Sequence, residues 1–174
     1  LSYLSDVFGG RLDLVVPNRA RTAAYVADSD VVIGAVLVTG AKAPKLVTRE
    51  MIASMRPGSV VVDIAIDQGG CFETSRPTTH SEPTYVEEGI VHYCVANIPG
   101  AVARTSTLAL TNVTLPYLLR VAANGVADAA AADPALAKGL STLGGKLVSR
   151  PVAEAYSLPY QDPDRLAMIW EHNI

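Results

Sequence analysis

The chain of 174 residues contains little cysteine and no recognisable export signal. Its two cysteines are Cys71 and Cys94, and their separation is not that of a paired motif. Residues 1–10 show no positively charged segment followed by a long apolar one, which a secretory signal would require. We therefore expect both thiols to be reduced and the protein to be cytoplasmic.

Long apolar runs and basic clusters are also missing. The longest apolar stretches, Val31–Val38 and Val60–Ile66, are far shorter than the roughly 20 residues of a membrane-spanning helix. Fourteen Lys and Arg residues against 17 Asp and Glu residues give a formal net charge of -3, with no basic stripe. The sequence thus predicts neither a membrane span nor a nucleic-acid partner. With 49% hydrophobic and 18% charged residues, it is too apolar for a disordered chain.

A glycine-rich phosphate loop of the form G-x-G-x-x-G is absent from the sequence. Such a loop brings backbone N–H groups to a pyrophosphate, so its absence argues against a complete dinucleotide site. The first residue is Leu1 and not methionine, and the length corresponds to one domain, or to one domain with a piece of another. We therefore expect a fragment of a longer protein.

Four short apolar runs are present, and they are nearly continuous instead of alternating. They are Leu12–Val16, Val31–Val36, Val60–Ile66 and Ile90–Val95. Continuous runs are typical of strands buried on both faces of a parallel sheet. Helical segments at 22–27 and 48–55 separate the first three runs, and the second has Thr48 as its N-cap and Pro57-Gly58 as its stop. This order predicts an α/β fold, with the C-terminal part of a Rossmann-type doubly wound parallel sheet in residues 1–100.

The pattern changes after residue 100. Thr105–Asn124 is predicted to be one long helix that is broken or kinked near Pro116, and no further strand pattern follows it. Residues 101–174 are therefore expected to form a long helix and a C-terminal segment that packs on another part of a larger protein. Gln68–Glu82 is an irregular stretch rich in Gly, Thr, Ser and Pro, and a loop of this length is more often functional than idle.

Ligands of open α/β sheets lie outside the carboxyl ends of the strands, which makes three positions candidates. These are Val36-Leu37, Asp63–Gly70 and Ala96–Pro99. Asp67 is the most suggestive residue, because its carboxylate leaves an apolar run beside Gly69-Gly70, where backbone can approach a ligand closely. Its alternative role is that of a turn cap. Asp63, inside the run, is expected to make structural hydrogen bonds.

Other polar residues have both a functional and a structural interpretation. Arg76 could hold a phosphate or a carboxylate with its planar guanidinium, or it could be an ordinary surface residue. Cys71, His80, His92 and Cys94 do not have the spacing of common zinc sites, so no metal is expected. His92 and Cys94 occupy alternate positions of a predicted strand, where packing is the simpler role.

Four ordered blocks of sequence carry a more specific signal. They are residues 31–47, residues 56–73 with 75–79, residues 93–99 leading into 105–107 and 110–112, and residues 124–125 with 134–140. The second contains Asp63-Ile64-Ala65-Ile66-Asp67-Gln68-Gly69-Gly70, and the third contains Val95-Ala96-Asn97-Ile98-Pro99. Together they closely resemble the bacterial L-alanine dehydrogenases over nearly all of the chain to about Pro159.

The resemblance implies NAD-dependent, reversible oxidative deamination of L-alanine to pyruvate and ammonium, in two-domain subunits that assemble into homohexamers. It implies that residues 101–174 return to the substrate domain. The glycine-rich turn, the acidic residue that holds the adenosine ribose and the substrate-domain His, Lys and Arg would lie outside this chain, so the chain alone is expected to be inactive. Asp67 would be the catalytic carboxylate. The cofactor would contact Val36, Leu37, Ile64, Ala65, Ile66, Asp67, Arg76, Val95, Ala96, Asn97 and Ile98.

One departure from the resemblance concerns the adenosine end. Many members place a serine after the first strand of this segment, whereas this chain reads Val16-Pro17-Asn18. Proline has no backbone N–H to donate, which leaves Asn18 as the candidate replacement. Two other functions stay open: the NAD-binding subunit of a proton-translocating transhydrogenase, and a non-catalytic nucleotide-binding module. The Asp67-Gln68 pair and Ala96–Pro99 favour the dehydrogenase.

Overall fold

The computed structural model describes residues 1–38 and 42–163, which form two compact units. The first, here called the sheet unit, consists of Leu1–Val36 and Pro44–Ala96. The second, the helical unit, consists of the described residues of Leu37–Ala43 and Asn97–Ile174. The division at residue 100 that the sequence suggested stays a prediction.

A four-stranded sheet in the order β1-β2-β4-β3 is the centre of the sheet unit. Its strands are β1 (Val31–Gly34), β2 (Val60–Asp63), β3 (Thr84–Glu87) and β4 (Ile90–Tyr93). β1, β2 and β4 are parallel, with Val31 opposite Val60 and Val61 opposite His92. Three of the predicted runs therefore form the predicted parallel strands, and the α/β class is confirmed. Each strand has four residues, so it is shorter than its apolar run.

β3 is antiparallel to β4 and makes the sheet mixed. The two strands are joined by the two-residue turn Glu88-Gly89, whose φ angles of 53° and 75° are both left-handed. This backbone matches the right-handed twist of the flanking strands, which is why tight hairpins favour it. The sequence interpretation ended its loop at Glu82 and did not predict β3.

The predicted strand at Leu12–Val16 is wrong. The segment is irregular and pairs with no strand among the described residues, and Leu12 and Val16 are 43% and 61% exposed. An apolar run becomes a strand only where a neighbouring strand accepts its backbone hydrogen bonds. The segment leads from α1 (Ser2–Phe8) to α2 (Arg19–Asp28), and the Asn18 side chain caps α2 by accepting from the Arg21 N–H at 2.9 Å.

The core of the sheet unit is formed by the sheet and by α3 (Arg49–Ala53). Ile52 of α3, Val61 and Ile90 of the sheet, and Phe72 are all fully buried. Thr48 caps α3 as predicted, because its side chain accepts from the backbone N–H of Met51.

The helical unit begins with a 3₁₀ helix, Ile98–Val102, and continues into α4 (Ala103–Ala132). The backbone dihedral angles stay helical through Pro116, so a break there, one of the two predicted alternatives, is wrong. The interruption lies at Gly125, directly after the predicted end at Asn124, with φ 79° and ψ 165°. α5 (Pro134–Gly139), the short strands β5 (Thr142–Leu143) and β6 (Lys146–Leu147), and α6 (Arg150–Tyr156) follow. β5 and β6 form an antiparallel hairpin that the sequence interpretation did not foresee. No helix within residues 1–38 and 42–163 is long and apolar enough to cross a membrane.

Candidate functional site

The carboxyl ends of the three parallel strands bring most of the candidate residues to one edge of the sheet. Val36 lies just beyond β1, Ile64–Asp67 follows β2 directly, and Val95-Ala96 lies just beyond β4. Because β2 pairs with both neighbours in parallel register, these three points lie side by side. This edge of the sheet unit is the candidate site, in agreement with the general position of ligands in open α/β sheets.

Asp67 does not lie on a strand but on a short 3₁₀ helix. The strand ends at Asp63, and Ile64–Gln68 forms the helix. Ala65 and Ile66 are buried at 7% and 3% exposure, whereas Ile64 is 52% exposed. Asp67 is exposed as well. The helix therefore presents an apolar side chain and a carboxylate outward. Contacts from Ala65 and Ile66 to a ligand would come from their backbone atoms.

The chain turns sharply after this helix. Gly69 and Gly70 have φ angles of 95° and 75°, and their N–H groups donate to Ile66 and Ala65 carbonyls at 2.9 Å. The Lys45 ammonium donates to the Gly69 carbonyl at 2.7 Å and to the Phe72 carbonyl at 2.9 Å. A cation at these carbonyls fixes the turn and opposes the negative end of the short helix.

Asp63 is fully buried beneath the same loop. Its Oδ2 accepts from the Cys71 N–H at 2.9 Å and from the Ser75 hydroxyl at 2.5 Å. A buried carboxylate needs such donors, and here they come from the loop that follows the turn. The expectation that Asp63 makes structural hydrogen bonds is confirmed.

Arg76 lies at the end of this loop and is exposed. Its guanidinium carbon lies 3.8 Å from the centre of the Tyr85 ring. Its backbone N–H donates to the Tyr85 hydroxyl at 3.0 Å, and that hydroxyl donates to the Thr74 carbonyl at 2.8 Å. Burial raises the pKa of the Tyr85 hydroxyl, so the group remains a donor at neutral pH.

The two cysteines and His92 are buried in the same unit. His92 Nε2 lies 2.8 Å from the Thr74 hydroxyl, and its Nδ1 lies 2.9 Å from the Ile90 carbonyl. Burial, followed by the nearby Asp63 carboxylate, raises the pKa of the Cys71 thiol to about 11. In the part of the chain that the structure describes, no group of three His, Cys, Asp or Glu residues is arranged to hold a metal ion.

Three cofactor candidates belong to the helical unit and are described separately. Leu37 is 70% exposed. Asn97 has a left-handed backbone with φ 54° and ψ 51°, and it directly precedes the 3₁₀ helix that Ile98 begins, without a capping bond from its side chain. Left-handed backbone is uncommon for residues other than glycine and often occurs at functional positions.

The residues of the sheet edge fit one end of a dinucleotide. Ile64 offers an exposed apolar surface, and a Cβ added at Gly69 would meet no atom within 4 Å, so there is open space beside that backbone. Arg76 supplies a positively charged fork suited to phosphate. The glycine-rich turn that would hold a pyrophosphate is absent from the sequence. The sheet edge therefore offers an apolar surface, open space and a cation to a ligand, without the backbone donors of a glycine-rich turn.

Lys45 and Tyr85 support this site, and sequence reasoning missed both. Lys45 holds carbonyls 24 and 27 residues away, and no local pattern reveals such a contact. Tyr85 could have been found through its strand, because Glu88-Gly89 precedes the apolar run of β4 and two-residue turns with glycine are a hairpin signal.

Comparison with known proteins places the chain in a family. The family description "Alanine dehydrogenase/PNT, C-terminal domain" matches residues 1–150. The chain is 58% identical over 160 residues to an alanine dehydrogenase of Halomonas elongata, covering 92% of this chain and 43% of the relative. It is 59% identical over 155 residues to one of Mycolicibacterium smegmatis, covering 89% and 42%.

A solved structure agrees with these relatives. An L-alanine dehydrogenase superposes with a TM-score of 0.77 at 49% identity, covering 90% of this chain and 43% of that one. The chain thus spans less than half the length of the relatives it matches. From its sequence and its fold, the chain belongs to the alanine dehydrogenase/PNT family and corresponds to the C-terminal domain of that family.

Proposed function

We propose that this chain is part of an L-alanine dehydrogenase, which catalyses the reversible oxidative deamination of L-alanine to pyruvate and ammonium. The observation that carries the proposal is the position of Asp67, an exposed carboxylate on a short helix just beyond the carboxyl end of β2. The names of the relatives, which are 53% to 59% identical, support the same activity.

The proposed cofactor is a nicotinamide dinucleotide, and specifically NAD. When bound, it supplies the hydride acceptor for the Cα hydrogen of alanine, while the protein supplies orientation and electrostatics. The residues proposed to hold it are Val36, Leu37, Ile64, Ala65, Ile66, Asp67, Arg76, Val95, Ala96, Asn97 and Ile98. Selection of NAD over NADP depends on a ribose-binding acid that we expect upstream of Leu1. Initial rates with each cofactor at equal concentration test this choice, since a preference for NADP would contradict it.

Asp67 is proposed to act on the substrate amine. Loss of hydride from Cα leaves a cationic imine, and a carboxylate beside it stabilises that charge and orients the attacking water. Asp63 cannot take this role, because it is fully buried and donors of the 71–75 loop occupy its Oδ2. The two carboxylates therefore have separate tasks.

The substitution Asp67→Asn in the full-length enzyme tests the proposal. We expect turnover of alanine to fall by about 10²–10⁴-fold, the usual contribution of an acid–base group, while NADH still binds. The matched control is Asp28→Asn, the same substitution at an exposed residue that ends α2 before β1, at the opposite edge of the sheet. Near-normal turnover by the Asp67→Asn enzyme would contradict the assignment.

The same assay separates the alternatives. Reduction of NAD that depends on alanine supports the dehydrogenase. Hydride transfer from NADH to an NADP analogue without any amino acid would instead support the transhydrogenase subunit. Binding without either reaction would support a non-catalytic module. We also propose a cytoplasmic homohexamer, which mass measurement of the full-length protein in solution would test.

A further inference from the structure

Arg76 and Tyr85 form a pair whose geometry is defined at both side chain and backbone. The guanidinium lies 3.8 Å above the centre of the Tyr85 ring, within the distance at which a cation is attracted to the face of an aromatic ring. The Tyr85 hydroxyl also accepts from the Arg76 backbone N–H at 3.0 Å. One tyrosine therefore fixes both ends of the arginine.

The N–H groups of the Arg76 guanidinium are available to bind a ligand. Within residues 1–38 and 42–163, its planar N–H fork donates to no carboxylate and no carbonyl, and the side chain is exposed. Stacking leaves that fork available, because the ring contacts the face of the guanidinium and not its edge. A planar fork with five donors recognises phosphate and carboxylate groups.

Tyr85 is itself held from behind. Its ring stacks on His92 with 4.8 Å between centroids and 21° between planes, and His92 is fully buried. Its hydroxyl donates to the Thr74 carbonyl at 2.8 Å and lies 3.7 Å from Cys94 Sγ. These contacts hold the Tyr85 ring in place. The guanidinium that stacks on it is therefore oriented in the absence of a ligand.

We propose that Tyr85 is a positioning residue that orients the guanidinium of Arg76 toward the dinucleotide cofactor. The inference rests on the proposed function, in which Arg76 contacts that cofactor, whose phosphates are its anionic groups. Tyr85 lowers the cost of binding because the long arginine side chain has less freedom left to lose. Its effect must therefore pass through Arg76.

A double-mutant cycle in the full-length protein measures this dependence, with NADH as the probe and its fluorescence as the signal. We expect Tyr85→Leu to raise the dissociation constant of NADH by about three- to tenfold, the range of a partly exposed cation–π contact. In the Arg76→Met background, Tyr85→Leu should cause no further change. Tyr85→Phe retains the ring and should recover most of the affinity. Should the leucine variant not fold, the same cycle with Tyr85→Phe applies, with an expected rise of about twofold.

Steady-state rates provide the second readout. We expect the KM for NAD to rise in Tyr85→Leu, while kcat and the KM for alanine stay unchanged, a split that loss of structure would not produce. The control is Tyr160→Leu, which removes another arginine-stacked tyrosine, 4.5 Å from Arg150 in the helical unit. The role of Tyr85 would be contradicted if Tyr85→Leu raised the dissociation constant of NADH equally with and without Arg76, or did not change it. The proposed function would then still stand. Failure of the unaltered protein to bind NADH would overturn the proposed function as well.

Discussion

Asp63 and Asp67 are four positions apart, and the backbone between them determines what each carboxylate can do. Asp63 ends β2 inside the core, where Cys71 and Ser75 supply its donors. The chain then changes from strand to 3₁₀ helix, which brings Asp67 to the surface. A continuous strand would have placed both residues on the same face, because side chains alternate along a strand. The change of backbone conformation therefore separates a structural acid from a candidate catalytic one.

Gly34 is a glycine at which the packed core excludes a side chain. A Cβ added there would collide with Cys71 Sγ and come within 2.6 Å of Phe72 Cε2, and both residues are buried. We predict that Gly34→Ala lowers the free energy of unfolding of the full-length protein by about 1–3 kcal/mol, the usual cost of overpacking. Chemical denaturation measures this change. Gly139→Ala is the control, since a Cβ at Gly139 meets no atom within 4 Å; equal stability of the two variants would contradict the prediction.

The buried Cys71 thiol makes the stability of the folded protein depend on pH. Its pKa is raised from 9.0 to about 11, first by burial and then by the Asp63 carboxylate. Between these values the folded protein keeps the proton and the unfolded chain loses it, so stability must fall as pH rises from about 9 to about 11. We predict that this fall, up to about 1.4 kcal/mol per pH unit, is absent in Cys71→Ala. The same slope in both proteins, from denaturation at several pH values, would contradict the assignment.

At the residue scale, the sequence predicts contacts between residues a few positions apart, but not contacts between residues that are far apart along the chain. Thr48 was predictable as a cap because its partner, the Met51 N–H, is three positions away. Lys45 was not, because the carbonyls it holds come near only after two strands have paired. Tyr85 was missed together with its strand. The candidate site could thus be located from the strand ends, but its support could not.

At the element scale, strands were predicted correctly where a nearly continuous apolar run has a neighbouring strand to pair with. β1, β2 and β4 lie in nearly continuous apolar runs, the pattern typical of parallel strands. β3 is a half-exposed edge strand with no such run, and β5 and β6 have two residues each, too few for any periodicity. Leu12–Val16 has the pattern, yet it has no pairing partner among the described residues and both Leu12 and Val16 are exposed, which shows that an apolar run alone establishes neither burial nor pairing.

The helical backbone of α4 is interrupted at Gly125 and not at Pro116. The backbone of Gly125, at φ 79° and ψ 165°, lies in a region that is essentially restricted to glycine. We predict that Gly125→Ala lowers the free energy of unfolding of the full-length protein by about 1–3 kcal/mol. Pro116→Ala is the control and should be neutral or stabilising, because alanine restores a helical N–H. Thermal unfolding compares the two. A larger loss of stability for Pro116→Ala than for Gly125→Ala would contradict this prediction.

At the scale of the whole molecule, much apolar surface is left uncovered. α4 exposes Leu108, Leu110, Leu118 and Leu119, each at 55% or more, and has Ala129 as its buried residue. In the sheet unit, β1 pairs with β2 alone among the described residues, and its Val31 and Ile33 are 55% and 61% exposed. Many exposed large apolar side chains and an unpaired strand edge are typical of surfaces that other protein covers. Relatives more than twice as long have the additional chain to cover them.

The 174 residues expressed alone are therefore predicted neither to turn over alanine nor to bind NADH tightly, and to self-associate. The pyrophosphate would lack the backbone donors of a glycine-rich turn, which the sequence does not contain, and the exposed leucines of α4 would lie in water. Calorimetric titration with NADH and light scattering on the eluted protein measure the two properties. The full-length enzyme is the positive control, with NADH binding expected to be at least about a hundredfold tighter, because a missing phosphate site removes several charge-assisted hydrogen bonds. Micromolar binding by a monodisperse monomer would show that this chain contains a complete site, and the account of its missing parts would then be wrong.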